Sequence, residues 1–189
     1  VMEMLSTNEW KRPMYFATTV GSDYHLGLDP YLELTGMAYR ITPTRSADGR
    51  PRVNTEVMYD NMMNKFRYGN VNKPGIYLDE NTLRMCRTHR MMFSELAEAL
   101  YEEGKHDKAI AVLDYAEEML PGYNVSYDYT SASMAALYYT LGEMEKGNAI
   151  MDQVATNAVE YMEWGTTLEP ASRKAAQSTL GHYSAVLGF

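Results

Sequence analysis

A single cysteine, Cys86, stands in 189 residues, which excludes an intrachain disulfide and any multi-cysteine metal site. No stretch approaches the roughly 18 uninterrupted apolar residues that a membrane-spanning helix needs. The chain opens Val1-Met2-Glu3-Met4-Leu5, with neither an initiator methionine nor a signal-peptide pattern, so it is expected to be a piece of a longer protein. Basic side chains are also scarce. Against 25 acidic residues there are 17 basic ones, and a net charge of −8 argues against nucleic acid as a partner, because phosphates must be neutralised by cations. No His-Glu-x-x-His or Cys-x-x-Cys spacing occurs, so no catalytic residue, metal or cofactor is assigned. What is present is the material of a folded protein. A hydrophobic fraction of 46%, with 12% aromatic and 22% charged residues, excludes disorder and collagen and allows one ordinary domain or two small ones.

Charge and pattern both change near residue 78. Residues 1–78 hold nine basic and eight acidic side chains and five of the seven prolines, whereas the remainder holds eight basic against seventeen acidic. The Asn72-Lys73-Pro74-Gly75 turn is the natural boundary, giving a small α/β unit over 1–74 and a helical module over 75–189. In the first part, Met14–Val20 is short, aromatic and β-branched and predicts a strand. Asp29-Pro30 has the signature of a helix start, with Gly36 as its stop. Met37–Pro43 predicts a second strand, and Asn54 or Thr55 opens a helix to about Phe66. Strand, helix, strand, helix points to a small α/β unit with the pairing direction left open, the first crossover being near the minimum for a parallel pair. The overall class is α+β, mostly α.

The second part predicts a helix capped by Asp79 and stopped by Gly104. Around that glycine, Leu96, Ala97 and Leu100 precede and Ala109, Leu113, Ala116 and Pro121 follow at the offsets of a helix-turn-helix repeat. Small residues let two antiparallel helices approach, and the leucines fill the space beside them. This stretch resembles a tetratricopeptide repeat. A second, weaker copy has Met134, Ala135, Tyr138 and Gly142 in its first helix and Gly147, Met151 and Val154 in its second. The two turn glycines lie 38 residues apart, about four more than the usual repeat, with the excess in the Tyr123–Tyr129 connection. Glu169-Pro170 opens a last helix to about Leu187, which would cap tetratricopeptide-like antiparallel hairpins.

Several groups invite a functional reading, each against a plainer one. Cys86 and His89 share a helix face but have no third partner at helical spacing, and an isolated cysteine is most often a small buried hydrophobe. Val20-Gly21-Ser22-Asp23 is weak as a phosphate loop and reads better as a turn. Arg84, Arg87 and Arg90 recur every third residue, forming a stripe about 130° around the helix from Phe93, Leu96 and Leu100. Arg40, Arg45, Arg50 and Arg52 cluster around a predicted loop. Both basic groups suit an acidic partner, anionic lipid or the acidic helical part, and a solvated or intramolecular role is favoured. Tyr123, Tyr127, Tyr129, Tyr138 and Tyr139 belong to a chain with sixteen tyrosines and offer the ring and hydroxyl of a wet interface, or of helix packing. The candidate partner-binding residues are therefore Tyr123, Tyr127, Tyr129, Tyr138, Arg84, Arg87 and Arg90. The fifteen methionines read as core filler, and Asn124-Val125-Ser126 matches the glycosylation sequon, a pattern too short to be specific.

Four blocks, Asn8–Ala17 (NEWKRPMYFA), Gly36–Ile41 (GMAYRI), Asn54–Asn61 (NTEVMYDN) and Gly75–Asn81 (GIYLDEN), together resemble the C-terminal soluble region of a bacterial family of multi-spanning membrane proteins. The membrane part of that family is similar to GT-C-type, protein O-mannosyltransferase-like glycosyltransferases. The resemblance implies a soluble region on the periplasmic face of the inner membrane. The repeat positions Leu96 to Pro121, the tyrosine-rich connection and the absence of catalytic constellations make a non-catalytic interaction and positioning module the favoured expectation. Its partners would be an acceptor or partner polypeptide and the membrane-embedded N-terminal part of the same protein. No catalytic residue of the family maps onto these blocks. A ligand-binding or enzymatic site near Gly21–Asp29, and a purely structural cap on the membrane part, are the alternative expectations.

Overall fold

The computed structural model describes residues 1–188; Phe189, the last residue of the predicted helical module, lies outside them. The chain is α+β and mostly α, with a small mixed sheet followed by helices. It divides into two compact units, one over Val1–Arg67 and one from Tyr68 onward. The division precedes the Asn72–Gly75 turn because Tyr68 is already part of the helical unit. Its ring centre lies 5.8 Å from those of His89 and Phe93 and 6.0 Å from that of Tyr115.

The first unit opens with a short helix, α1 (Met2–Asn8), none of whose residues is buried. Strands β1 (Tyr15–Ala17), β2 (Leu32–Leu34), β3 (Ala38–Ile41) and β4 (Arg52–Val53) form one sheet in the order β1-β3-β2-β4. β3 runs antiparallel to both β1 and β2, and β4 pairs in parallel with β2. The helix predicted from Asp29 to Gly36 does not form. Asp29–Tyr31 makes one 3-10 turn and the chain then extends into β2. The reason is alternation: Leu32 and Leu34 are both buried and Glu33 between them is not, a period of two that a helix cannot satisfy. The expected crossover is accordingly a hairpin, in which Gly36 adopts φ 138° and Thr35 N–H donates to Ala38 O at 3.1 Å.

Asn54 caps α2 (Thr55–Tyr59), its side chain accepting from Val57 N–H at 3.0 Å, and a π-helical turn continues over Asp60–Lys65. From that turn Asn61 donates to Thr35 O at 2.7 Å, fixing it to the hairpin. Leu32, Leu34, Ile41, Met58 and Met62 are the buried apolar core of this unit.

The second unit begins with α3 (Glu80–Glu102), capped by Asp79 through Asn81 and Thr82 N–H, and α4 (His106–Met119) returns along it. Then come α5 (Ala132–Thr140), α6 (Met144–Thr167), a short α7 (Pro170–Ala175) and α8 (Gln177–Leu187). The expected last helix is thus broken at Ala176. The two helical hairpins, α3/α4 and α5/α6, turn in the same way. In the first, Gly104 has φ 74°, and Gly104 and Lys105 N–H donate to Tyr101 O and Leu100 O, both at 2.8 Å. In the second, Gly142 has φ 85°, and Gly142 and Glu143 N–H donate to Tyr139 O and Tyr138 O at 3.1 and 2.8 Å. Both are Schellman closures, which require the left-handed residue that glycine supplies. Leu96, Ala97, Ala109, Leu113, Ala116, Met134, Ala135 and Val154 are all fully buried. Between α5 and α6, Gly147 leaves room for the Tyr139 ring, and Gly165 of α6 does the same for Leu180 of α8.

Candidate functional site

The arginine stripe does not form one basic surface; it descends from solvent into the core. Arg84 is exposed, with Nη2 3.2 Å from Asn81 Oδ1. Arg87 is half-buried and forms an ion pair with Asp128, Nε to Oδ2 at 3.2 Å. Arg90 is only 2% exposed and is among the largest fully buried side chains. Its Nη2 donates to Leu120 O at 2.6 Å and Val125 O at 2.7 Å, and its Nη1 reaches Ser131 Oγ at 3.3 Å and Ser126 O at 3.4 Å. Burial draws the Arg90 pKa down from the usual arginine value, opposed mainly by Tyr127 and Glu117. A buried cation on three carbonyls and one hydroxyl is an internal brace for the lengthened connection between the hairpins.

The tyrosines divide similarly. Tyr123 is exposed, its hydroxyl donating to Asn72 O at 2.6 Å. Tyr129 stacks on His182, ring centres 4.3 Å apart, and meets Tyr183 edge-on. Tyr127 and Tyr138 are buried and face carboxylates of α4. The Tyr127 hydroxyl donates to Glu117 Oε2, and the Tyr138 hydroxyl to Asp114 Oδ1 at 2.9 Å. Lys146 of α6 completes the group, its Nζ lying 2.8 and 2.9 Å from the two Asp114 oxygens. These side chains, with Ile150 and Gln153, line a cavity of about 260 Å³.

Electrostatics inside this cavity are uneven. Burial raises the Glu117 carboxyl above its ordinary range, although the Tyr127 hydrogen bond and Arg90 oppose the shift. Burial and the neighbouring carboxylates push both Tyr127 and Tyr138 upward, so each stays a neutral donor. Asp114, held by a phenol and an ammonium, raises the Lys146 pKa in return. Asp114, Glu117, Lys146 and Gln153 were not singled out from the sequence. Asp114 and Glu117 lie one turn apart on α4, which is the only local signal available.

Other predicted groups do not assemble. Cys86 is buried and burial pushes its thiol up, while His89 turns to donate Nδ1–H to Met85 O at 2.8 Å. Arg40, Arg45 and Arg50 are exposed, whereas Arg52 bonds Glu33 at 3.0 Å. The Val20–Asp23 segment runs into a 3-10 turn over Ser22–Tyr24, followed by buried His25, whose Nδ1 lies 2.8 Å from Asp29 Oδ1. In the sequon, the Asn124 amide is already spent, donating to Val71 O and Lys73 O at 2.6 and 2.7 Å.

A family model described as TMEM260-associated domain 2 matches residues 1–61, which contain three of the four sequence blocks and end within the turn after α2. Comparison with curated proteins and with solved structures gave no match.

Proposed function

We propose that this chain is a non-catalytic interaction and positioning module of a membrane glycosyltransferase-like protein, holding a partner or acceptor polypeptide near the membrane-embedded part. The carrying observation is the pair of helical hairpins with the same glycine closure and small residues buried at the same repeat offsets, which supports a tetratricopeptide-like reading. Arrays of this kind present helix faces to peptides. The exposed side of α3 carries Glu95, Glu98 and Glu102, a face complementary to basic polypeptide. The membrane context is supported by the match of residues 1–61 to a domain associated with TMEM260, a protein O-mannosyltransferase-like protein, and by the ordered sequence blocks. A periplasmic position is part of the same proposal, supported only by the resemblance of the ordered sequence blocks.

The test is deletion of this region from the full-length protein. The expected result is loss of glycosylation or of complex formation; unchanged levels of both would sink the reading.

One observation favours the structural-cap alternative for the first unit. Val1, Met2, Met4, Trp10 and Tyr15, all within the first fifteen residues, are exposed there. Met4→Ser with Trp10→Ser in the full-length protein would lower its detergent-extracted stability if this surface seats on the membrane part. It would leave that stability unchanged if the surface faces water.

A further inference from the structure

The segment between α1 and β1 is held in a conformation that its residues resist. Glu9 and Trp10 stand side by side with left-handed backbones, φ 48° and 60°, a region that bulky side chains rarely enter without support from their surroundings. Asn8 supplies that support by clasping Arg12 at both ends, its Oδ1 accepting from Arg12 N–H at 3.2 Å and its Nδ2 donating to Arg12 O at 2.6 Å. The Trp10 side chain, fixed in this way, stays exposed. It lines a cavity of about 250 Å³ with Arg12, Arg40 of β3 and the apolar Leu5, Met14 and Ile41.

The polar side chains of this cavity lean to one sign. Arg12 and Arg40 are exposed, and neither guanidinium makes a hydrogen bond or ion pair among the described residues; the Trp10 indole N–H is equally without an acceptor. No carboxylate lines the cavity. Glu9, next to Trp10 in the chain, pairs with Lys11, and Glu33, the cross-strand neighbour of Arg40, pairs with Arg52. The Asn8 carbonyl is taken by Arg12 N–H, and Thr42 Oγ1 donates to Tyr31 O at 3.2 Å and accepts from Arg52 at 3.3 Å. Two like charges that share a cavity with no anion between them repel, and an arriving anion removes that cost.

We propose that this cavity binds the phosphate group of a small organic phosphate, held by Arg12 and Arg40, with the apolar or ring part of the ligand against the Trp10 indole. Three features favour this ligand. The guanidinium fork matches a pair of phosphate oxygens, and two forks with an indole N–H suit a tetrahedral dianion, whereas a planar carboxylate is satisfied by a single fork. The donors come from separate segments, the 10–12 turn and β3, so they can approach one anion from different directions. Trp10 and the apolar lining supply contact area for the rest of the molecule, and a space of about 250 Å³ suits a small ligand better than a stretch of polypeptide.

This site lies wholly within the first unit and does not depend on the interaction reading, which is tested by deletion in the full-length protein. Phenyl phosphate, inorganic phosphate and benzoate are titrated into the isotope-labelled 189-residue chain, and the indole N–H resonances of its two tryptophans are followed. Phenyl phosphate is expected to shift the Trp10 resonance saturably and leave that of Trp164, in the second unit, in place. Inorganic phosphate should bind more weakly, and benzoate weaker than phenyl phosphate by about tenfold or more. Arg12→Gln and Arg40→Gln, both at exposed positions, should each weaken phenyl phosphate by about tenfold, while Arg84→Gln, the same charge change on α3, leaves its affinity at the parent value. Vesicles of phosphatidylcholine with and without phosphatidic acid separate the sources. Sedimentation with the phosphatidic acid vesicles that both arginine variants abolish assigns the phosphate to a lipid headgroup, and binding of the soluble probe alone assigns it to a free ligand. Benzoate binding as tightly as phenyl phosphate, an affinity unchanged in both arginine variants, or no saturable Trp10 shift together with no arginine-dependent vesicle binding would overturn the assignment.

Discussion

The guanidinium of Arg90 lies 4.5 Å from the centre of the Tyr127 ring, joining α3 to the connection between the two helical hairpins. Among the described residues the same guanidinium donates to no carboxylate; its Nη2 donates to the carbonyls of Leu120 and Val125. Arg90→Met is therefore expected to leave those buried carbonyls unpaired, with a loss of about 3 kcal/mol or more. Arg90→Lys should recover only part of it, since an ammonium lacks the planar fork. Urea unfolding followed by circular dichroism reads both, and a loss below about 1 kcal/mol for the methionine variant would contradict the brace.

Close helix approach makes the second prediction. Ala116 is fully buried on α4, whereas Ala111 on the same helix is exposed. Ala116→Leu should cost about 1–3 kcal/mol by overpacking, while Ala111→Leu stays within about 0.5 kcal/mol of the parent. Thermal unfolding of the two variants separates packing from helix propensity.

Gly36 sets the β2–β3 hairpin. Its φ of 138° is one that side chains rarely adopt, and an added Cβ would meet Phe66 Cζ at 2.9 Å. Gly36→Ala is expected to lose about 1–3 kcal/mol through backbone strain and that contact. Trimming the neighbour in Gly36→Ala/Phe66→Leu should relieve the contact but not the strain, so a double variant as stable as the parent would contradict the argument.

Asn124 clasps the segment ahead of α3, bonding Val71 O and Lys73 O. Asn124→Ala should speed amide hydrogen exchange over residues 69–78 while leaving the amides of α3 and α4 near their parent rates. Uniform acceleration across the unit would show instead that the clasp carries global stability.

The pH dependence follows from Glu117. Its folded carboxyl titrates above the unfolded value near 4.5, so the native state holds the proton longer than the unfolded one. The contribution to stability is therefore greatest below that unfolded value and is lost as pH rises through it to the folded value. Asp79 works the opposite way: Thr82 and neighbouring amides hold its carboxyl low, so its contribution is present above the unfolded value and lost in acid. Glu117→Gln should remove the decline above the unfolded Glu117 value and keep the acid loss. Unfolding free energies of the two proteins across pH 3 to 8, about the range these carboxyls sample, test the sign.

Legibility in the sequence followed distance along the chain. Asp79 and Gly104 bound α3, and Asn54 caps α2, because a cap or a Schellman closure uses groups within six residues of one another. The same reasoning failed at Asp29-Pro30. The turn signal there was real, but Leu32 and Leu34 gain ladder bonds from Ile41 and Tyr39, partners that no helix-start signature takes into account. β4, two residues long, had no pattern of its own and exists because Arg52 and Val53 lie beside Glu33 and Leu34.

The arginines show the limit most clearly. Spacing alone placed Arg84, Arg87 and Arg90 on one side of a helix, and that local statement holds for any helix of this register. Whether that side meets water is decided by carbonyls 30 to 36 residues away, which turn inward over Arg90 and leave Arg84 outside. The sequence by itself determined the mostly helical class, the caps and the turn glycines, since these are short-range chemistry. Only tertiary structure buried a cation beneath Tyr127 and left Glu117 with an unpaired oxygen. A side chain's hydration and charge state depend on what distant segments bring to it, and local pattern carries no record of that.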